Sequence, residues 1–357
     1  MIEEIDEQLE EQFVQTDEES LLFKYSITSY GADYPVDGLV KRIKNQSIFV
    51  PPFQRNYVWS HKMASRFIES LLLGLPVPGI FLSKEEDSRK LKVIDGQQRL
   101  RTLQFFYDGV FEPNKIKFEL ADVNEQFCGV TYDSLSDEDR RNLDDCIIHA
   151  IVIKQDQPSS DESSVYEIFE RLNTGGQKLY PQEIRSCIYH GLFNDMLNRL
   201  NENSQWREIF GKPSKRRRDQ ELLLRFFALH FNGDEYKKPM KDFLNNFMAK
   251  NKAISDDDAQ DFENTFNYAI DIVFNAIGSK AFRPNRPINA AVFDSVMIGI
   301  AIRLEHGGIT KIETVKEKYD LLLQDIDYQK TIETATTDEE AVKKRISSAI
   351  NYFKDVE

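Results

Sequence analysis

Residues 91–103 read LKVIDGQQRLRTL, and this stretch decides how the first half of the chain folds. The apolar run up to Asp95 predicts a buried strand, and the polar residues after it open a helix over residues 99–107. Gly96 permits a tight turn between them, because glycine adopts backbone conformations that a Cβ would block. A plain Asp-Gly turn followed by helix capping explains the same residues, because such turns are common.

The same turn is a natural site for a phosphate group. A helix begins with backbone N–H groups that have no partner inside the helix, and its dipole adds positive charge there. Gly96 would let a phosphate approach the backbone without a Cβ in the way. We expect the guanidinium of Arg99 to form bidentate hydrogen bonds to phosphate oxygens, and Gln97 or Gln98 to orient a water molecule. Asp95 is suited to hold Mg²⁺ or a sugar hydroxyl.

A second set of candidate residues lies in residues 51–59, PPFQRNYVW. Two adjacent prolines predict an extended loop, since they do not fit a helix. Arg55 adds the positive charge that a triphosphate needs beyond Arg99. Tyr57 or Trp59 is suited to stack on a base or a guanidinium. The alternative is that the aromatic side chains fill the hydrophobic layer between helix and sheet.

A third set lies in residues 169–185, FERLNTGGQKLYPQEIR. The pattern predicts a helix that ends at Asn173 and a turn at Gly175 and Gly176. Pro181 then suits the first turn of a second helix. Backbone N–H groups in such a turn can bind an anion, with Asn173 as a polar contact. The alternative is an ordinary helix–loop–helix corner of an all-α domain.

Strand and helix signals alternate in the first half of the chain, and helical periodicity dominates after the polar segment at residues 155–164. The apolar run at residues 146–154 predicts a strand that is covered on both faces. One helical face is predicted from the spacing of Val36, Leu39, Val40 and Ile43. We therefore predict an α+β protein with a small mixed α/β domain followed by an all-helical domain. The predicted boundaries give an acidic disordered tail over residues 1–20, the mixed domain over residues 21–155 and the helical domain over residues 156–357.

Composition and spacing exclude several classes of protein. No apolar stretch approaches about 18 residues and the first residues are acidic, so we expect neither a membrane span nor a secretory signal. Cys128, Cys146 and Cys187 show no CxxC spacing, which argues against a disulfide framework and for a cytoplasmic protein. The five histidines never fall at HxxxH or HxH spacing, so a zinc site is poorly supported.

The net charge of −14 is concentrated at the N-terminus. Residues 1–20 hold nine acids and no Lys or Arg, and without them the net charge is −5. This balance does not indicate nucleic-acid binding by the chain as a whole. A local basic patch at residues 212–218 (KPSKRRR) supplies candidates for DNA phosphate contacts, namely Lys212, Lys215, Arg216, Arg217 and Arg218. The alternative is a solvated loop or helix entry.

Four motifs carry a resemblance to a known family. In order, they are FVPPFQRNYVW at residues 49–59, ESLLLGLPVPGIFL at 69–82, VIDGQQRLRTL at 93–103 and IFERLNTGGQKLYPQEIR at 168–185. Together they resemble the N-terminal domain of GmrSD-type restriction endonucleases. The resemblance implies a ParB/sulfiredoxin-like core, with nucleotide binding and hydrolysis at the DGQQR turn. It also implies a role in bacterial defence against foreign, often modified, DNA.

The resemblance carries site residues over to this chain. They are Gln54, Arg55, Tyr57, Trp59, Asp95, Gly96, Gln97, Gln98, Arg99, Asn173, Gly175 and Gly176. Arg101 and Thr102 follow where relatives usually carry Thr-Thr, and we add both to the nucleotide-binding residues because Arg101 brings a second cation near the site. Tyr180 replaces a Ser or Thr, which removes a hydroxyl helix cap worth about 1 kcal/mol.

Three functions stay open. In the first, the chain hydrolyses a nucleoside triphosphate within an anti-phage restriction system, with Asp95, Gln97, Gln98 and Arg99 as catalytic residues and Mg²⁺ at Asp95. In the second, it is a non-catalytic nucleotide- or DNA-binding module that partners a separately encoded nuclease, because no His-Asn-His arrangement follows residue 190. In the third, it is a ParB-like metal-dependent DNA nickase. A homo-oligomer is compatible with all three.

Overall fold

The computed structural model describes residues 26–51, 57–85, 88–157, 166–168, 180–189, 191–284, 287–333 and 336–357. Over these residues the protein is mixed α/β, with strands and helices in the first part and helices alone in the second. The predicted fold class is confirmed at this level. The chain divides into two compact units, which comprise Lys24–Lys178 and Leu179–Glu357. The boundary predicted at residue 155 and the likeness to ParB and sulfiredoxin stay predictions.

The first unit combines a sheet with helices. Its described strands are β1 (Ser26–Pro35), β2 (Ile48–Phe49), β3 (Ile80–Lys84), β4 (Leu91–Asp95), β5 (Val110–Phe111), β6 (Ile116–Lys117) and β7 (Ile147–Gln157). Its helices include α1 (Val36–Lys44), α2 (His61–Leu72), α3 (Gln97–Asp108) and α4 (Asp137–Asp145). Gln97–Asp108 agrees in type with the helix that the sequence predicts after the Asp-Gly turn.

The five-stranded sheet has the order β1-β7-β3-β4-β2. β1 pairs antiparallel with β7, from Ser26 opposite Gln157 to Pro35 opposite Ile147. β3 pairs parallel with β7 and antiparallel with β4, while β2 pairs parallel with β4. β5 and β6 form a separate two-stranded ribbon. β4 therefore lies inside the sheet, and its C-terminal end leads into α3.

One face of the sheet forms the core of this unit with the helices. Successive side chains of a strand point to opposite faces, so alternate strand residues enter the core. The apolar face of α1 that the sequence spacing predicts is buried in it. Core side chains include Val36, Leu39, Val40, Ile43, Leu82, Leu91, Val93, Leu100, Leu103 and Val152.

The opposite face of β7 is only partly covered. Ile147 and Ile151 are 45% and 42% exposed, whereas Ile153 is buried. The expectation that this strand is covered on both faces is therefore wrong for its first half. A continuous apolar run indicates burial of a strand, but it does not show how far the covering elements extend along it.

The second unit is helical in all its described elements. They are α5 (Pro181–Ile188), α6 (Leu192–Leu200), α7 (Ser204–Phe210), α8 (Arg218–Asn232), α9 (Met240–Asn251), α10 (Asp256–Ile277), α11 (Ala290–Glu305), α12 (Ile312–Gln324), α13 (Ile326–Glu333) and α14 (Glu339–Phe353). α11 is buried on all sides from Ala290 to Ala301, as expected for a helix that is apolar all round. Within the described ranges, no helix has both the length and the apolar character needed to cross a bilayer.

α11 also carries a buried charge. Asp294 is 0% exposed, and its carboxylate accepts hydrogen bonds from Arg225 Nη2 at 2.5 Å and from Arg345 Nη2 at 3.1 Å. Arg225 lies on α8 and Arg345 on α14, so one carboxylate ties three helices together. Removing one partner of a buried ion pair leaves charge that neither water nor protein compensates.

Asp294→Asn is expected to destabilise the helical unit by about 3–5 kcal/mol, because two buried arginines lose their carboxylate. Urea unfolding followed by circular dichroism measures this loss. Asp327→Asn is the control, since Asp327 pairs with Lys330 at 3.1 Å on the surface and should change the midpoint little. Equal midpoints for the two variants would contradict the structural role of Asp294.

Candidate functional site

The turn between β4 and α3 is built around Gly96. Its φ of +100° and ψ of 9° lie in the left-handed region, where other side chains are strained. A Cβ at this position would lie 2.5 Å from Ile80 Cγ2, so the chain requires glycine for space as well. Because Ile80 fills that side of the turn, the expected approach of a phosphate past the missing Cβ does not agree with the structure.

Asp95 and Arg99 form an ion pair across this turn. Arg99 Nη2 lies 2.7 Å from Asp95 Oδ2, and the Arg99 and Asp95 side chains are 12% and 46% exposed. The carboxylate therefore faces solvent while the guanidinium is largely buried. Asp95 is the last residue of β4 and Arg99 lies in the first turn of α3, so the turn at Gly96, and not helical spacing, brings the two together. This internal carboxylate counts against the expectation that Arg99 binds phosphate, because it already takes one side of the guanidinium.

Gln98 holds a neighbouring segment through its carboxamide oxygen. Gln98 Oε1 accepts hydrogen bonds from the backbone N–H groups of Val58 at 3.0 Å and Trp59 at 3.3 Å. Both Gln98 and Gln97 are buried. An amide oxygen has two lone pairs, and both are used here. The oxygen of Gln98 therefore does not fit the predicted role of orienting a water molecule. Gln97 stays the candidate for that role.

Tyr57 is a partly buried residue that packs against the core and has a bonded hydroxyl. The Thr102 hydroxyl donates to the Gln98 backbone oxygen at 2.7 Å, so the Tyr57 hydroxyl is the donor in its 2.6 Å contact with Thr102 Oγ1. The Tyr57 ring makes edge-to-face contacts with Phe105 and Phe111. Burial raises the pKa of Tyr57 to about 12, which keeps the phenol neutral at physiological pH. This arrangement agrees with the alternative that the aromatic residues fill the core.

Trp59 and Arg101 flank this core. The Trp59 ring is half-buried and packs edge-to-face on Phe67, with ring centroids 5.6 Å apart. Arg101 is half-buried, and burial lowers the pKa of its guanidinium. Among the residues that the structure describes, Arg101 makes no ion pair. The charge of Arg101 is therefore free of a counterion among these residues and could interact with a ligand.

Five predicted site residues lie outside the described residues. They are Gln54 and Arg55 in the segment before Tyr57, and Asn173, Gly175 and Gly176 in the segment before Tyr180. Their assignment to the nucleotide site stays a prediction. The described part of the site comprises Tyr57, Trp59, Asp95, Gly96, Gln97, Gln98, Arg99, Arg101 and Thr102.

The arginines of the basic patch make most of their contacts inside the helical unit. The guanidinium groups of Arg216 and Arg218 lie 4.6 and 4.9 Å from the centre of the Tyr180 ring. Arg218 is 1% exposed and its Nη1 lies 3.3 Å from Glu221 Oε2. Tyr180 thus serves as a platform for two cations.

Only the two lysines of the patch are fully exposed. Arg217 donates from Nη1 to Gln220 Oε1 at 2.8 Å and is half-buried, whereas Lys212 and Lys215 are open to solvent. A DNA contact through all five cations therefore does not fit this geometry. The part of the prediction that the geometry allows is a contact through Lys212 and Lys215.

Comparison with known proteins gives one family. Residues 36–190 match the family described as GmrSD restriction endonuclease, N-terminal domain. This range contains the turn at Gly96 and the Val58–Trp59 segment that Gln98 holds. No curated protein matches the chain.

A double-mutant cycle tests the hydrogen bonds that run from the Tyr57 hydroxyl through the Thr102 hydroxyl to the Gln98 backbone oxygen. Tyr57→Phe and Thr102→Val are each expected to destabilise the protein by about 1–2 kcal/mol, because the first removes a hydrogen bond to Thr102 and the second leaves the partly buried Tyr57 hydroxyl without its acceptor. The double variant should cost less than the sum, since the bond between the two hydroxyls is lost only once. Urea unfolding measures all three, with Tyr268→Phe at a 65% exposed tyrosine as the control. Strict additivity would show that the two hydroxyls do not interact.

Proposed function

We propose that the chain is the nucleotide-hydrolysing component of a bacterial restriction system, because residues 36–190 match the N-terminal domain family of GmrSD restriction endonucleases. The family match supports the role in restriction, and the position of Arg99 at the start of α3 supports the nucleotide. The DNA that the system acts on would be foreign and often modified. A separately encoded nuclease would then cut that DNA.

The observation that carries the nucleotide proposal is the position of Arg99 at the start of α3. Its side chain reaches back to the turn, where Nη2 lies 2.7 Å from Asp95 Oδ2. A helix N-terminus with a nearby guanidinium is a combination that proteins use to bind phosphate. A guanidinium has five N–H donors, so Arg99 can bind a phosphate oxygen while it keeps its bond to Asp95.

Asp95 is the described residue that would hold a Mg²⁺ ion. Mg²⁺ is usually bound by one or two carboxylates together with substrate phosphates, and the single exposed carboxylate fits that mode. Across the described ranges, no group of three or more His, Cys, Asp or Glu side chains is arranged to hold a metal. When bound, the ion would neutralise charge on the phosphate oxygens. Arg99 would add positive charge, and Gln97 would orient the attacking water.

Arg99→Ala and Asp95→Asn are expected to lower the release of inorganic phosphate by about 100-fold or more, because each removes charge stabilisation from the transition state. The measurement is phosphate release from ATP, GTP, CTP and UTP, with and without DNA. Thermal melting should change by only a few degrees, since a partly exposed ion pair contributes little to stability. EDTA is expected to stop turnover by the wild-type protein.

Asp108→Asn is the matched control for these variants. Asp108 lies at the other end of α3 in a partly exposed pair with Lys44 at 2.6 Å, so its loss should leave turnover unchanged. Full turnover by a folded Arg99→Ala protein would contradict the catalytic proposal. Stabilisation by a nucleotide without phosphate release would instead favour the non-catalytic binding module.

Lys212 and Lys215 give a separate test of DNA binding. If both contact phosphates, replacing both with Gln should lower the slope of log affinity against log salt by about two, because each contact releases about one counterion. Replacing the exposed residues Lys343 and Lys344 with Gln serves as the control. Filter binding over a range of salt concentrations measures the slopes. An unchanged slope in the Lys212/Lys215 variant would remove this patch from the DNA footprint.

A further inference from the structure

The outer edge of β1 is the longer of the two open edges of the five-stranded sheet. β1 has ten residues and, among the described strands, pairs with β7 alone, whereas β2 at the other edge has two residues. Every second residue of an edge strand directs its backbone N–H and C=O groups away from the sheet. Gly31 is exposed, and because a glycine has no side chain, it is the backbone that is exposed there. The edge is therefore open to a further strand.

β1 lacks the features that usually protect such an edge. Lysines, an interior proline or a bulge are the common means of preventing edge-to-edge pairing. β1 contains no lysine, its register shift lies between Ser26 and Ile27, and Pro35 is its last residue, so the proline and the irregularity stand at its two ends. Its single charged residue, Asp33, contacts His149 Nδ1 on β7 through Oδ1 at 2.6 Å. The stretch between the two ends is a continuous strand of low charge.

The glycine in the middle of β1 is not required by the fold of the chain itself. The φ of Gly31 is not among the left-handed ones, and a Cβ there would meet no described atom within 4 Å. A glycine inside a strand weakens the strand, and it often marks a place where another backbone approaches closely. Ile151, opposite Gly31 on β7, is 42% exposed, and Tyr30 beside it is 45% exposed. Apolar surface is thus uncovered on both faces of the sheet near this edge.

We propose that β1 is a dimerisation strand, which pairs antiparallel with β1 of a second copy of this chain about a two-fold axis at Gly31. Both copies present the same surface in such a contact, so the strand must be complementary to itself. Directly opposite residues of antiparallel strands lie on the same face of the sheet. This register sets Tyr30 opposite Ala32 of the second copy. A large ring then covers a small side chain that already packs against the core.

The charges of β1 are compatible with this register. Asp33 lies opposite Ser29 of the second copy, and both residues are exposed. An axis at Asp33 would instead set the two Asp33 carboxylates opposite each other, and like charges directly opposite destabilise a sheet. β1 precedes the family-matched residues 36–190, so the pairing does not rest on the proposed function. A single strand pair is smaller than the interfaces of stable dimers, and the dimer is therefore expected to dissociate on dilution.

Two substitutions of opposite charge at Ser29 test both the pairing and its register. Ser29→Asp sets a carboxylate opposite Asp33 twice by symmetry, and we expect dimerisation at low salt to weaken by about fivefold. Ser29→Lys sets an ammonium group in the same two places, and we expect dimerisation to strengthen by about the same factor. High salt should reduce both effects, because the charges are exposed. Sedimentation velocity over a series of protein concentrations measures the dissociation constants.

The same two substitutions at Ser347 are the matched controls. Ser347 is an exposed serine on α14 in the helical unit, so Ser347→Asp and Ser347→Lys should leave the dissociation constant unchanged. Hydrogen exchange of the wild-type protein gives a measurement that needs no variant. Backbone amides of β1 should exchange more slowly as the protein concentration rises through the dissociation constant, whereas those of α12 should not change.

Three results would overturn the proposal. The first is wild-type protein that stays monomeric at every concentration at which it is soluble, as expected if the edge takes a strand of a different protein. The second is a dimer whose dissociation constant changes equally with Ser29→Asp and Ser29→Lys, or with neither. The third is concentration-dependent protection that appears in other elements and not in β1.

Discussion

The close contact between Gly96 and Ile80 is the constraint on which the first unit depends. With Ile80 Cγ2 2.5 Å from the position of a Cβ, the Ile80 side chain of β3 packs directly on the backbone at Gly96. The left-handed turn then reverses the chain from β4 directly into α3. That reversal positions the described groups of the candidate site. It sets Asp95 beside Arg99, and it brings the first turn of α3 against the Val58–Trp59 segment.

Local features of this arrangement could be predicted from sequence. A turn residue between an apolar run and a polar helix start fixes the position of α3, and the spacing of Val36 and Ile43 fixes the buried face of α1. The bond between Gln98 and Val58 could not be predicted, because 40 residues separate the two and no periodicity links them. The same holds for Ile151, whose exposure depends on how far other elements extend over the sheet and not on its neighbours in sequence.

The basic patch shows a second limit of sequence patterns. Five cations in seven residues predict a positive surface only if their side chains reach solvent. Arg218 is instead paired with Glu221, three residues away on the same helix, and stacked on Tyr180. Glu221 was visible in the sequence as a helical neighbour, whereas Tyr180 lies far away along the chain. A count of charges therefore measures composition, and only packing decides which charges face a partner.

Buried polar groups in the two units differ in a way that bears on function. At Asp294 both carboxylate oxygens accept from guanidinium groups, so the charge ties three helices and has no bonding capacity for a ligand. At the start of α3, Gln98 Nε2 and Arg99 Nε are instead buried without a hydrogen-bond partner among the described residues. An apolar residue at position 98 would avoid the desolvation of the unpaired donor, but it would leave the Val58 and Trp59 N–H groups without their acceptor. Gln98 therefore has a structural role through its oxygen, whereas its nitrogen keeps bonding capacity that the Asp294 carboxylate does not have.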